Sequence, residues 1–323
     1  MQVEVVRPVL AVLHAGDLPD GLESVAKVAD IRYATADTLA EAVDGADALL
    51  LWDFFSPAVE SAWPQCGSLK WIHIAAAGVD SLLFDELVES DVVVTNSRGV
   101  FDRPIAEFVL AQILAFAKDS ERSRTLQHSK TWQHRETERI DGAHVMIVGT
   151  GAIGRAIATL LSAVGMSVSG VGRTARGGDG DFGTVYASDD LVDEVGRADY
   201  LVLVAPLTEQ TRGLVDDSVL AAMKPGSRVI NVGRGELLDT DALLTHLDSG
   251  HLAGAALDVF ETEPLPADHP LWAAENVVVT PHMSGDASGW KSRLADVFVD
   301  NAQRYFRGEQ LRNVVDKKLG FVV

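Results

Sequence analysis

A glycine-rich turn near the middle of the chain constrains the fold more than any other feature of the sequence. Residues 145–149 form an apolar run of strand type, and Gly149, Gly151 and Gly154 follow it at G-x-G-x-x-G spacing. Residues 152–164 contain few helix breakers and therefore predict a helix. A helix that begins at such a turn offers backbone N–H donors and a favourable dipole to a phosphate group. The alternative is a glycine turn in an unrelated βα unit, which the strand and helix on either side make the poorer interpretation.

Each position of this turn has a separate part in the predicted site. The first glycine permits the tight turn, the second lets the backbone approach a pyrophosphate, and the third permits close packing of helix against strand. The pattern therefore predicts a dinucleotide site. Its members are Gly149, Gly151, Ala152, Ile153 and Gly154.

Apolar runs alternate with helical patterns along the rest of the chain, which indicates an α/β protein with parallel sheets. Predicted strands cover residues 3–13, 48–52, 71–75, 92–95, 166–171, 200–204, 228–232, 253–258 and 276–280. Predicted helices cover residues 103–124 and 288–306, and the glycine-dense residues 176–183 are expected to be a surface loop.

This order of elements predicts two Rossmann-like domains with parallel sheets and a cleft between them. We expect a substrate-binding domain from residues 1–102 plus 286–323, which is discontinuous in sequence. Residues 103–285 would form the dinucleotide-binding domain.

Composition excludes several classes of protein. A chain of 323 residues with 47% hydrophobic residues is expected to be globular and to have two domains. No apolar run approaches the ~20 residues that cross a bilayer, and the start of the chain has the pattern of a strand rather than a signal peptide. The formal net charge of −20 argues against a nucleic-acid partner. A single cysteine, Cys66, allows no internal disulfide, so the cytoplasm is the expected location.

The end of the strand after the glycine turn favours NADP over NAD as cofactor. NAD-binding folds usually place a carboxylate about 20 residues beyond the turn, where it binds the ribose 2′-hydroxyl. Here Gly172 occupies that region, and no Asp or Glu occurs between Gly154 and Asp179. Guanidinium groups suit a 2′-phosphate, so Arg173, Thr174 and Arg176 are candidate contacts. The alternative is that these arginines lie on a solvated loop while Asp179 or Asp181 reaches the ribose.

Five linked segments resemble those of the D-isomer-specific 2-hydroxyacid dehydrogenases. They comprise residues 206–208 with 211–214, 231–235, 254–260, 263–265 and 280–282. The resemblance is strong from the glycine turn to His282 and loose over the first hundred residues. Residues 172–174 and 77–81 make the glyoxylate/hydroxypyruvate reductase branch the most similar one. The resemblance implies a reductase that passes a hydride from NAD(P)H to a small 2-oxo acid and gives the D-2-hydroxy acid.

Three catalytic residues follow from the resemblance, and their chemistry agrees with it. Arg234 would hold the substrate carboxylate and polarise the adjacent carbonyl with its planar guanidinium. His282 would protonate the carbonyl oxygen, or act as base in the reverse direction. Glu263 would hold the imidazolium of His282. No metal is expected, because Arg234 already provides a positive charge.

The resemblance also implies contacts beyond the three catalytic residues. Pro206 and Asp258 would contact the cofactor, Asp258 at the nicotinamide amide unless it simply ends a strand. Backbone amides of Ala77, Gly78 and Val79 would receive the substrate carboxylate, although these residues also suit an ordinary βα turn. A homodimer is expected by analogy alone.

Two rival functions stay open from the sequence. One is an NAD-linked family member for 3-phosphoglycerate or a bulky 2-oxo acid. The other is a dinucleotide-sensing protein similar to the corepressors that share this fold.

Overall fold

The computed structural model describes residues 7–323 and confirms the α/β class. Contacts divide the chain into two compact units. The first unit contains the chain up to Val100 together with Ser288–Val323, so it is discontinuous in sequence, and the second contains Phe101–Ala287. Residues 3–6 of the predicted first strand lie outside the described residues.

The described part of the first unit contains one sheet of five parallel strands, in the order β2-β1-β3-β4-β5. The strands are β1 (Val9–Leu13), β2 (Asp30–Ala34), β3 (Ala48–Leu51), β4 (Trp71–Ile74) and β5 (Val93–Asn96). All four residues of β3 and of β4 are buried, as expected for central strands with both faces covered. Strand β2 was absent from the sequence prediction. It lies at the edge of the sheet and exposes three of its five residues, so it lacks the apolar run of a buried strand.

Helices and the end of the chain cover the first sheet. The helices are α1 (Leu22–Val25), α2 (Leu39–Val43), α3 (Ala58–Ala62), α4 (Asp85–Glu89) and the C-terminal helix (Trp290–Phe306). Phe298 of the C-terminal helix is fully buried and stacks on Trp71, with ring centroids 5.7 Å apart. Beyond this helix, Val314 pairs with Thr95 of β5 as an antiparallel bridge. The last residues therefore complete the unit that the first hundred residues begin.

A buried histidine, His73, forms a polar network inside the first unit. Its Nδ1 lies 2.8 Å from Thr95 Oγ1, and its Nε2 lies 3.2 Å from Ser97 Oγ. Trp71 donates its indole N–H to the same Thr95 hydroxyl at 2.8 Å. Burial lowers the pKa of His73 to about 3, because no water solvates an imidazolium at this position.

The first unit should therefore lose stability in mild acid. Below the ordinary pKa of histidine the unfolded chain binds a proton that folded His73 excludes, so the free energy of unfolding falls as pH falls. Between pH 7 and pH 5 this one group should contribute a loss of about 2 kcal/mol. Urea unfolding of the wild type and of His73→Asn at both pH values tests this. The variant should show the smaller pH dependence, and an equal dependence in both proteins would refute the assignment.

The described part of the second unit contains a sheet of eight strands, in the order β13-β12-β11-β10-β6-β7-β9-β8. The strands are β6 (His144–Val148), β7 (Ser167–Gly172), β8 (Arg176–Asp179), β9 (Gly183–Ala187), β10 (Tyr200–Leu203), β11 (Arg228–Asn231), β12 (Gly254–Leu257) and β13 (Val277–Val279). The expectation of a surface loop over residues 176–183 is wrong. These residues form β8 and the turn into β9, and β8 runs antiparallel to β9, so the sheet is mixed rather than wholly parallel.

Helices α5 to α10 complete the second unit. They are α5 (Asp102–Ala117), α6 (Ser120–His128), α7 (Ala152–Ala163), α8 (Leu191–Glu194), α9 (Asp217–Ala222) and α10 (Thr240–Asp248). The single helix predicted over residues 103–124 is two helices, because Asp119 adopts a left-handed backbone with φ 48°. Arg135 Nε holds the Asp119 carboxylate at this break, at 2.9 Å. Within residues 7–323, no helix combines the length and apolar character that a membrane span requires.

Candidate active site

The glycine-rich turn joins β6 to α7 and is shaped by close backbone packing. Gly149 has φ 115°, and a Cβ there would lie 2.6 Å from the backbone nitrogen of Ala205. A Cβ on Gly154 would overlap the carbonyl oxygen of Gly149. Both positions therefore require glycine for the fold itself. Pro206 directly follows Ala205 and is exposed beside this turn.

Gly151 is a glycine for a different reason. A Cβ at this position would meet no described atom within 4 Å, so packing within the chain does not exclude a side chain. Gly151 precedes Ala152, the first residue of α7, and its backbone is extended. The described part of the chain therefore leaves the start of α7 uncovered at Gly151. This geometry fits the pyrophosphate of a dinucleotide, which Gly151, Ala152 and Ile153 would hold.

Because Gly151 and Gly154 differ in how closely they are packed, their replacement by alanine should affect binding and stability separately. Gly151→Ala should leave the thermal unfolding transition unchanged and weaken dinucleotide binding by about tenfold or more, equivalent to about 1.4 kcal/mol. Gly154→Ala should destabilise the fold, since the new Cβ meets backbone. Differential scanning fluorimetry and a fluorescence titration with NADPH and NADH measure the two effects. Unweakened binding in Gly151→Ala would place the pyrophosphate elsewhere.

The residues predicted to contact a 2′-phosphate begin directly after β7. Arg173 and Thr174 are exposed directly after Gly172, the last residue of β7. A Cβ on Gly172 would lie 3.1 Å from Thr150 Oγ1, so a side chain there would require Thr150 to shift by a few tenths of an ångström. Arg176 lies further on, in β8, and its Nε contacts Asp179 at 3.0 Å. Arg176 therefore lies in a different strand from the one that Arg173 and Thr174 follow.

His282 and Glu263 lie in direct contact. The Nδ1 of His282 is 2.8 Å from Glu263 Oε2, and both side chains are about one-third exposed. Glu263 Oε1 accepts a hydrogen bond from the Phe260 N–H at 2.9 Å. Burial opposes ionisation of Glu263, but the hydrogen bonds from His282 and Phe260, with the charges of His282 and Arg234, lower its pKa below the ordinary value. Glu263 is therefore ionised at neutral pH and can only accept hydrogen bonds.

Arg234 lies within electrostatic range of this pair. It follows β11 in an extended conformation, and Asn231 Nδ2 donates to its carbonyl oxygen at 2.8 Å. Its Nη1 donates to the Gly233 carbonyl at 2.7 Å. A Cβ on Gly235 would overlap the backbone of Phe260, so the loop that carries Arg234 packs directly on the loop that leads to Glu263. The structure thus brings the three predicted catalytic residues together in one unit.

Asp258 anchors the turn that carries His282. It is completely buried, and its Oδ1 accepts hydrogen bonds from Thr280 Oγ1 at 2.5 Å and from the Met283 N–H at 2.9 Å. Its Oδ2 accepts from the Ser284 N–H at 2.8 Å, and its carbonyl oxygen accepts from the His282 N–H at 2.7 Å. These bonds hold His282 in a left-handed conformation with φ 51°. Sequence reasoning missed this function, although β12 and β13 are adjacent parallel strands whose carboxyl ends must meet.

The predicted carboxylate-binding loop, Ala77, Gly78 and Val79, lies in the first unit. It follows β4, and Asn96 Nδ2 donates to the Ala77 carbonyl at 2.6 Å. The Ser97 N–H donates to the Ala76 carbonyl at 2.8 Å. Ala77 and Gly78 are partly exposed, while Val79 is buried. Their part in substrate binding stays a prediction.

Comparisons with known proteins identify the family. Residues 110–284 match the family model described as the D-isomer specific 2-hydroxyacid dehydrogenase, NAD binding domain. A glyoxylate reductase of Aeropyrum pernix is 32% identical, over 93% of this chain and 94% of its own length. An (S)-sulfolactate dehydrogenase of Chromohalobacter salexigens is 35% identical, over 73% of this chain and 77% of its own length.

A solved structure extends the likeness to the whole fold. The NADPH-dependent glyoxylate/hydroxypyruvate reductase of Sinorhizobium meliloti, in complex with NADP and sulfate, has a TM-score of 0.80 and 28% identity. The match covers 98% of this chain and 100% of that one. The sequence-based prediction of the family is confirmed: this chain belongs to the D-isomer-specific 2-hydroxyacid dehydrogenases, which are NAD(P)-dependent oxidoreductases.

Proposed function

We propose that this protein is an NADPH-dependent reductase of small 2-oxo acids such as glyoxylate and hydroxypyruvate, and that it forms the D-2-hydroxy acid. The observation that carries the proposal is the His282–Glu263 hydrogen bond, with Arg234 close enough to lower the pKa of Glu263. The relatives named as glyoxylate or glyoxylate/hydroxypyruvate reductases support the substrate class. Support for NADPH comes from the missing carboxylate at the end of β7 and from the NADPH-dependent relative.

Glu263 fixes the hydrogen-bonding state of His282. Since the ionised carboxylate can only accept, His282 Nδ1 carries a proton and donates it to Glu263 Oε2. Nε2 is then the ring nitrogen that can deliver a proton to the carbonyl oxygen of the substrate. Charge from Glu263 stabilises the imidazolium before delivery, and Asp258 keeps the ring in position through the backbone of the His282 turn.

Arg234 would bind the carboxylate group of the 2-oxo acid. Its guanidinium can form paired hydrogen bonds with the substrate carboxylate, and its charge polarises the neighbouring carbonyl. In a protein with a formal net charge of −20, this local positive charge also offsets the general repulsion of an anionic substrate. Ala77, Gly78 and Val79 remain our candidates for backbone contacts to the same carboxylate. The bound cofactor supplies the hydride, and Gly149, Gly151, Ala152, Ile153, Gly154, Arg173, Thr174 and Pro206 are its proposed contacts.

A direct assay tests the proposal. Oxidation of NADPH and NADH is followed side by side with glyoxylate, hydroxypyruvate, pyruvate, phenylpyruvate and 3-sulfopyruvate. We expect the highest kcat/KM with NADPH and either glyoxylate or hydroxypyruvate. A preference for NADH would overturn the cofactor proposal and leave the chemistry intact. No turnover with any acid would favour the dinucleotide-sensing alternative.

The sulfolactate dehydrogenase relative supports a second candidate substrate. Its name describes oxidation of a 2-hydroxy acid that carries a sulfonate, and it shares 35% identity with this chain. The corresponding 2-oxo acid has a second anionic group, which would need a further positive charge in the site. Preferential turnover of 3-sulfopyruvate would therefore replace the glyoxylate assignment.

We also propose a cytoplasmic homodimer that associates through the second unit. Trp132 lies after α6 in a segment without helix or strand, and 93% of its surface is exposed in the single chain. Burial of so large an apolar side chain would favour association. Light scattering should give a dimer mass for the wild type and a shift toward monomer for Trp132→Ser. A wild-type monomer would contradict this proposal.

A further inference from the structure

Four charged side chains form a cluster beside the glycine turn. Arg155, the residue after Gly154, contacts Asp179 through Nη1 at 3.0 Å and Nη2 at 3.1 Å, and contacts Asp181 through Nη1 at 2.6 Å. Arg176 donates from Nε to the same Asp179 carboxylate at 3.0 Å. The two arginines and two aspartates balance in charge. The cluster as a whole therefore adds no net positive charge to the corner where Arg173 and Thr174 lie.

Asp179 is the centre of this cluster. Only 6% of its side chain is exposed, and the N–H groups of Asp181 and Phe182 also donate to its Oδ1, at 3.1 and 3.3 Å. Hydrogen bonding from Arg155 is the main cause that holds the pKa of Asp179 well below its usual range. A nearly buried carboxylate with this many donors stays ionised and in place.

The same contacts fasten the β8–β9 hairpin to helix α7. Residues 176–183 include four glycines, which have low strand propensity, so local preference does not explain the hairpin. Phe182 is buried within the hairpin, and the guanidinium of Arg155 lies 5.5 Å from its ring centroid. Asp179 therefore fixes both the hairpin and the direction of the Arg176 side chain.

We propose that Asp179 is a specificity-determining residue that restrains Arg176, so that Arg176 does not contribute to discrimination between NADPH and NADH. The proposal rests on the proposed function only in that a dinucleotide binds at the glycine turn. It removes Arg176 from the candidate contacts to a 2′-phosphate that the sequence suggested. Arg173, at the exposed end of β7, is then the arginine that acts on the phosphate. Removal of the Asp179 charge would release Arg176 and strengthen the preference for NADPH.

A double-mutant cycle tests the restraint. Dissociation constants for NADPH and NADH are measured by nicotinamide fluorescence for the wild type, Arg176→Gln, Asp179→Asn and the double variant. Arg176→Gln alone should change the ratio of the two constants by less than about twofold, because Asp179 already holds the Arg176 side chain through Nε. Asp179→Asn should shift the ratio toward NADPH by about fivefold, as expected for one partly exposed charge-assisted hydrogen bond. The double variant should return to the wild-type ratio.

Two controls separate the restraint from general damage. Arg139→Gln removes an exposed arginine that pairs with Asp141 at 2.7 Å, and it should leave both dissociation constants unchanged. Thermal unfolding of each variant reports the loss of the hairpin contacts independently of binding. If Asp179→Asn does not fold, Arg176→Gln still decides the question. A fivefold loss of NADPH preference in that single variant would show that Arg176 already binds the phosphate.

The cycle also separates this inference from the proposed cofactor preference. If the wild type prefers NADH and Arg173→Gln does not change the ratio, the NADPH proposal fails. The cycle still measures the restraint of Arg176 by Asp179. It compares the ratio of the NADPH and NADH dissociation constants among variants, whichever cofactor the wild type prefers. Two outcomes would show that Asp179 does not restrain Arg176. One is an unchanged ratio of the two dissociation constants in Asp179→Asn, and the other is a gain in NADPH preference that persists in the double variant.

Discussion

Replacement of His282 by alanine should lower kcat for 2-oxo acid reduction by about 10²–10⁴-fold, the usual contribution of a positioned general acid. The reason is that Glu263 can only accept a hydrogen bond, so His282 is the member of the pair that can deliver a proton. Dinucleotide binding should change by less than about twofold, because the proposed pyrophosphate contacts lie at the start of α7. Steady-state kinetics and a fluorescence titration on the same preparation measure both quantities.

His246 provides a matched control for this experiment. It also pairs with a carboxylate, with its Nε2 2.9 Å from Asp217 Oδ1, and it lies in the same unit on α10. His246→Ala removes a similar contact that involves none of the three predicted catalytic residues, and it should retain wild-type kcat. A His282→Ala protein that retains more than about a tenth of the activity would rule out the proton-donor assignment.

Replacement of Arg234 by lysine should lower kcat/KM by about 10²–10³-fold despite the retained charge. The guanidinium can hold a carboxylate with two parallel hydrogen bonds and polarise the carbonyl at the same time, whereas an ammonium group provides a point charge on a flexible stem. Since binding and polarisation are both weakened, KM should rise and kcat should fall. The measurement is a substrate titration at saturating cofactor.

Arg197→Lys is the matched control for Arg234→Lys. Arg197 is an exposed arginine of the second unit that pairs with Glu194 at 3.1 Å, and its replacement should leave kcat/KM unchanged. If Arg234→Lys raised KM alone, Arg234 would contribute to binding but not to polarisation. An unchanged kcat/KM would remove Arg234 from the site.

The buried parallel strands could be predicted from the sequence because their residues are apolar on both faces. Strand β3, with four consecutive buried residues, is an example of this pattern. Edge elements could not be predicted in the same way. Strand β2 is mostly exposed, and β8 consists of Arg-Gly-Gly-Asp, whose conformation depends on the contact between Arg155 and Asp179. That contact joins residues 24 positions apart, so no local pattern contains it.

The candidate site could also be predicted from the sequence only in part. Arg234, Glu263 and His282 follow strand ends in short motifs, so their types and order were visible in the sequence. The position of the His282 ring depends on Asp258, whose carboxylate binds atoms 22 to 26 residues away. Likewise, the sequence made both Arg173 and Arg176 candidate contacts to a 2′-phosphate, and only the fold shows that Asp179 contacts Arg176. Long-range hydrogen bonds of this kind are determined by the packed structure and not by local propensity.

The discontinuity of the first unit has a consequence for the order in which the protein can fold during synthesis. The second unit is a continuous stretch, so all its residues have been synthesised before Ser288–Val323. Trp71 and His73 pack against Phe298, and β5 pairs with Val314, so the first sheet stays incomplete until Phe298 and Val314 emerge. Domains usually fold as units in the order of translation. Here strands β1 to β5, which are synthesised before the second unit, must wait with apolar residues uncovered and are the last to reach their native packing.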